Sequence, residues 1–256
     1  MKTALLCASF GTTVSAARKS ITAVEDALQR EMPKADFFRA FTSKTVRRVL
    51  ASKGETVWGM EEALEYLTCG SYGRVVVQPT HFLYGLEYES LKAVVEEAKK
   101  HFPNLLSGTP LLSGTEDLQM LARVLSEEFP KKEGSALVFM GHGTPHFSNV
   151  VYPAMQAVFH MMGRKDVYVG TVEGWPEIGE ICRQLRAGNA ADVRMVPLML
   201  VAGDHALGDM AGDDEDSWKN VLIGEGYRVE CVMQGLGELP RVQEMYRQHL
   251  RDLLKE

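Results

Sequence analysis

No stretch of this 256-residue chain approaches the roughly 20 consecutive apolar residues that a bilayer-spanning helix needs. A membrane-spanning helix is therefore not expected. Cysteine is scarce and scattered: Cys7, Cys69, Cys182 and Cys231 form no C-x-x-C pair, so neither a zinc cluster nor a disulfide framework is suggested, and buried reduced thiols in a cytoplasmic protein are expected. A G-x-x-x-x-G-K-[ST] loop is missing, which excludes ATP binding of that kind. Surplus positive charge is missing as well. The formal net charge is -6 and the pI near 5.7, which argues against a nucleic-acid or anionic-membrane partner and requires any anionic ligand to be met by local cations. Lys2, "ALLCASF" and "VSA" imitate a secretion signal, but the apolar part is at the lower limit for one and reads better as a core strand.

The apolar content, 45%, suffices for a sizeable core, in one large domain or two lobes of roughly 125 residues each. Strand-like runs fall at 3–10, 35–41, 74–78, 105–112, 136–140, 166–172, 193–201 and 227–233. Helical patterns lie between them. Residues 15–32 place Ile21, Val24, Ala27 and Leu28 on one face, and "MEEALEYL" and "LKAVVEEAKKHF" read likewise. This alternation predicts an α/β fold with parallel sheets.

The order also repeats. "ALLCASFGT" (4–12) matches "ALVFMGHGT" (136–144), "DFFRAFTS" (36–43) matches "DVYVGTVE" (166–173), and "LTCGSYGRVVVQP" (67–79) matches "LRAGNAADVRMVP" (185–197). After those prolines "THFLYGLE" runs without a gap against "LMLVAGDH", and "GTEDL" pairs with "GLGEL". Two similar α/β lobes, 1–125 and 126–256, are expected around a cleft.

Where the second lobe has His142, Glu173 and His205, the first has Phe10, Ser43 and Glu87. The three second-lobe residues follow three successive strands, and ligands of open parallel sheets bind beyond the strands' carboxyl ends. Two imidazoles and a carboxylate suit a divalent transition metal with open positions, whether Co, Fe, Ni or Zn. His142 lies between glycines, which lets backbone, metal and a bulky ligand approach together. Arg39, Lys44 and the turn Gly11–Thr12 before a helix, with Gly143 in the matching turn, are candidate anion partners. His81 is a candidate for the cleft edge, and His146 for the surroundings of His142 or a solvated loop. His101, His160 and His249 are assigned to surface or packing, and Met155, Val158, Met161 and Met162 to core packing. The acidic run "GDMAGDDEDSW" lacks the spacing of an EF-hand and is read as a loop entering a helix capped by Asp or Ser.

"SFGTT", "RAFTS", "MGHGT", "GTVEGWPE" and "PLMLVAGDHALGDMAGDDEDSW" resemble the class II anaerobic cobalt chelatases of cobalamin biosynthesis, the sirohydrochlorin cobaltochelatases, nearly end to end. The resemblance implies two α/β lobes about a cleft, ATP-independent insertion of Co²⁺ into sirohydrochlorin or precorrin-2, and metal ligation by His142, Glu173 and His205. Iron or nickel insertion is an alternative, as are a non-catalytic tetrapyrrole or metal carrier and a metal-dependent hydrolase. Insertion must strip two pyrrole protons. His142 suits that task, and Glu87, placed opposite by the repeat, is the second candidate acceptor unless it only caps its helix. A homo-oligomer is compatible with the sequence.

Overall fold

A computed structural model describes residues 2–255. In chain order the elements are β1 (Thr3–Ser9), α1 (Arg18–Glu31), β2 (Asp36–Phe41), α2 (Lys44–Ser52), α3 (Met60–Cys69), β3 (Arg74–Pro79), α4 (Leu86–Lys99), β4 (Leu105–Ser107), α5 (Thr115–Glu128), β5 (Ser135–Gly141), α6 (Val151–Met161), β6 (Val167–Thr171), α7 (Ile178–Arg186), β7 (Asp192–Pro197), α8 (Trp218–Gly224), β8 (Arg228–Cys231) and α9 (Pro240–Leu253). Every strand expected from the sequence is present. β1 is the clearest case, because Ala4, Leu5, Leu6, Cys7 and Ala8 are all fully buried. A strand covered by helices on both faces needs an unbroken apolar run, and the stretch that imitates a secretion signal is such a core strand. No helix among the described residues is long and apolar enough to cross a membrane.

The chain forms two units. The first comprises the residues up to Ser113 together with those from Gly237 onward. Its sheet is all parallel, in the order β2-β1-β3-β4. The second unit, Gly114–Leu236, carries a parallel sheet in the matching order β6-β5-β7-β8. In each, the chain steps outward from the first strand and then returns to its other side. That reversal opens a crevice between β1 and β3, and between β5 and β7, where crossovers leave to opposite faces.

The expected boundary at 125/126 falls inside α5, and α9 packs with the first unit. α1, whose Ile21, Val24 and Leu28 are buried, packs against α9, whose Tyr246 hydroxyl donates to the Thr80 carbonyl at 2.8 Å. Arg247 and Arg251 of α9 pair with Glu31 at the end of α1. α9 lies beyond the repeated segments, so the repeat carried no signal for its place.

Two smaller expectations are corrected. Cys69 is exposed, not buried. Met161 is 84% exposed, whereas Met155 and Phe159 are buried; α6 ends at Met161, so the helical period no longer aims Met161 and Met162 at the core. The acidic run behaves as expected: Ser217 caps α8 by accepting from the Asn220 N–H at 3.3 Å.

Candidate metal centre

β5 and β7 flank the crevice of the second unit. His142 directly follows β5, His205 lies on the segment leaving β7, and Glu173 follows the neighbouring strand β6. Together they offer one ligand atom each, all within 4.8 Å of one another. The imidazoles meet edge to face with centroids 4.4 Å apart, and Glu173 Oε2 lies 3.7 Å from His142 Nδ1. Metal–ligand bonds of about 2.1 Å hold opposed ligand atoms about 4.2 Å apart. The spacing of these part-exposed side chains is thus close to what one ion requires.

The tautomers follow from the partners. His142 Nδ1 lies 2.9 Å from the Gly143 carbonyl oxygen, which can only accept, so Nδ1 carries the proton and Nε2 keeps its lone pair. His205 Nδ1 lies 2.7 Å from Asp209 Oδ2, with the same consequence. Both rings thus present a basic Nε2, the state that a divalent metal requires.

The backbone beneath the ligands is stitched together. Glu173 N–H donates to the His142 carbonyl at 2.7 Å, and Val172 N–H to the Gly141 carbonyl at 3.1 Å. Asn149 bridges the same loops, accepting from Thr144 N–H at 3.1 Å and donating to the Trp175 carbonyl at 2.6 Å. Tyr152 reaches up from α6 and accepts from Gly143 N–H at 3.3 Å. Burial pushes this phenol's pKa up to about 12, so it stays neutral. Gly143 has φ +86° and a Cβ there would sit 2.6 Å from Gly174 N, which shows what the glycines are for: Gly143 admits the Glu173 loop, and Gly141 admits the Tyr152 ring. Asn149, Tyr152 and Asp209 were not singled out from the sequence. Only Asp209, four residues after His205, left a local signal.

Comparison with known proteins identifies the family. The cobalt chelatase (CbiK) family model matches residues 3–255. The chain belongs to the cobalt chelatase family. It is 38% identical to the sirohydrochlorin cobaltochelatase of Salmonella typhimurium, over 99% of this chain and 97% of that one. It is 32% identical to the sirohydrochlorin cobaltochelatase CbiKC of Nitratidesulfovibrio vulgaris, over 97% and 89%. Among solved structures, SirB from Bacillus subtilis with Fe³⁺ superposes with a TM-score of 0.65 at 14% identity, over 99% and 96% of the two chains. At that identity the match shows the shared fold.

The first unit of this family member treats the remaining candidates unevenly. Arg39 lies within β2, where its Nε donates to both carboxylate oxygens of buried Glu25 at 2.8 and 3.1 Å and its Nη2 pairs with the same group. It is therefore a structural partner, not the free cation expected. Burial raises the Glu25 pKa and Arg39 pulls it back. Arg39→Gln is accordingly expected to cost about 3 kcal/mol, the scale for stranding a buried charge. Without Arg39 the folded-state pKa of Glu25 rises further above the unfolded value, so the lost stability returns as pH falls and Glu25 is protonated. Denaturation midpoints of variant and wild type across the acidic to neutral range measure this; a deficit that does not shrink on acidification overturns it.

Gly11, with φ +96°, has its open side filled by the Phe41 ring, 2.7 Å from a would-be Cβ. Thr12 is buried and its hydroxyl accepts from Val14 N–H at 3.2 Å. In the second unit Thr144 Oγ1 takes His146 N–H at 3.1 Å, and His146 Nδ1 takes Ser148 N–H at 3.2 Å. The Val14, Gly143, Thr144, His146 and Ser148 N–H groups are therefore engaged within their own loops. Lys44, exposed at the start of α2, makes no ion pair among the described residues. Ser43 caps α2 by accepting from Val46 N–H at 3.3 Å. His81 is buried, its Nε2 3.1 Å from Thr42 Oγ1 and its ring edge-on to Tyr88 with centroids 6.4 Å apart; burial drives its pKa down to about 4. Glu87 is exposed in the first turn of α4 and provides no cap hydrogen bond.

Proposed function

We propose that the protein inserts Co²⁺ into the tetrapyrrole sirohydrochlorin without ATP, as a step of anaerobic cobalamin biosynthesis. The observation that carries this reading is the convergence of His142, Glu173 and His205 with both Nε2 lone pairs free. Two curated relatives bear the corresponding name. Open coordination positions on such a set let the ion be surrendered to a better chelator. Exposed apolar side chains follow each ligand closely in sequence: Phe147 (82% exposed), Trp175 (60%) and Leu207 (51%). Exposed apolar surface of this kind invites cover, and a macrocycle face supplies it. Lys44 is the cation available for a substrate carboxylate.

The macrocycle loses two pyrrole protons as the metal enters. His142, once it releases the metal, has a vacant Nε2 to take one. Glu87 takes the other: it stands eight residues past Pro79, as His205 stands eight past Pro197. Fe²⁺ and Ni²⁺ suit the same donors, because affinity order alone does not select among these ions. The test is absorbance-monitored incubation of the protein with sirohydrochlorin and Co²⁺, Fe²⁺ or Ni²⁺, each without ATP. Catalysed conversion is expected with all three ions admitted and fastest with Co²⁺. Stable metal uptake with no acceleration of the spectral change would make the protein a carrier instead.

A further inference from the structure

The two ligand histidines are held by unlike acceptors. A neutral carbonyl, Gly143 O, receives the His142 Nδ1 proton, whereas a carboxylate, Asp209, receives that of His205. A carboxylate behind a metal-binding imidazole fixes the ring and strengthens its electron donation through the shared proton, and losing it typically lowers metal affinity 10- to 100-fold. Asp209 is also placed by an unusual backbone. Residues Ala206–Met210 form a π-helical turn directly after His205, closed by Ala211 N–H donating to the Ala206 carbonyl at 3.2 Å. Single π turns are rare and frequently lie at functional sites. The first unit has no counterpart: the corresponding segment is ordinary helix α4, and four residues after Glu87 stands buried Leu91.

We propose that Asp209 is a positioning residue that makes His205 the retaining ligand, so that His142, whose Nδ1 is hydrogen-bonded to a carbonyl at 2.9 Å with the Glu173 carboxylate farther off at 3.7 Å, is the ligand that lets go first as the ion is handed to the macrocycle. The division of labour rests on the metal site read above. It also accounts for the opening acid of the "GDMAGDDEDSW" run, whose later acids serve the loop: Asp213 pairs with Lys219 at 3.0 Å.

The test is a Co²⁺ titration followed by visible ligand-field absorbance, on wild type and on Asp209→Asn, Asp209→Ala, Asp213→Asn and the His142→Ala/His205→Ala double variant. Asp209→Ala is expected to weaken Co²⁺ binding 10- to 100-fold and shift the bands, with Asp209→Asn between it and wild type because an amide oxygen still accepts the Nδ1 proton. Asp213→Asn is expected to match wild type. Nitrogen-15 NMR of the metal-free protein in alkaline buffer reads the His205 tautomer directly: Nδ1–H in wild type, mixed in Asp209→Ala. Wild-type affinity and bands in Asp209→Ala, alongside lost binding in the double variant, overturn the proposal and leave the metal site standing. Retained binding in the double variant overturns the site itself. Should Asp209→Ala fail to fold, the wild-type tautomer decides, since an Nδ1 without its proton contradicts the proposed contact.

Discussion

Replacing His142 and His205 together by Ala is expected to weaken Co²⁺ binding on the order of 10³-fold or more while the protein stays folded. Loss of a group that merely supports a ligand costs 10- to 100-fold, and the double variant removes two ligands outright, leaving Glu173 as a lone exposed carboxylate. Both side chains are part-exposed and neither belongs to the apolar core beneath the sheet, so the thermal midpoint should change little. In wild type, acidification should weaken binding because protonated imidazole cannot ligate. In the double variant that dependence should largely disappear. Calorimetric titration with Co²⁺ at several pH values measures both effects; wild-type affinity in the double variant would move the metal site elsewhere.

Glu87→Gln is expected to slow Co²⁺ insertion about 10²-fold or more, the usual contribution of a positioned proton acceptor, with Co²⁺ affinity unchanged. Gln keeps the shape and the place in the first turn of α4 but cannot take the pyrrole proton. The competing role is helix stabilisation. Acidic groups in a first turn are worth about 0.3–1 kcal/mol through the helix dipole, and Glu87 closes no capping hydrogen bond. A stabilising role therefore predicts a small drop in thermal midpoint with normal insertion, and a catalytic role the reverse. Stopped-flow absorbance beside thermal denaturation separates the two, and a normal insertion rate would leave proton removal to His142 or water.

The fold was legible because parallel strands buried on both faces write themselves as unbroken apolar runs, and because the same order of runs occurs twice. The clustering of His142, Glu173 and His205 was legible for a related reason: strand ends are marked by the runs, and each of the three follows one. Legibility failed where meaning depends on a partner distant in sequence or hidden in a loop. Arg39 looks like a free cation until Glu25, fourteen residues earlier on α1, is seen beside it. Strand β4 stops at Ser107, short of the apolar pair Leu111 and Leu112, because Pro110 has no N–H to extend a ladder. Asn149 and Tyr152 act through loops that only the folded chain brings together, so no spacing could disclose them.

The return of α9 to the first unit has a consequence during synthesis. The second unit is one uninterrupted stretch of chain, whereas the first must wait for its final helix until all of the second has been made. At roughly 5–20 residues per second, α1 lacks its α9 neighbour on the ribosome for on the order of ten seconds after the last strand of its own sheet emerges. In that interval the second unit can close while the first still lacks its last helix.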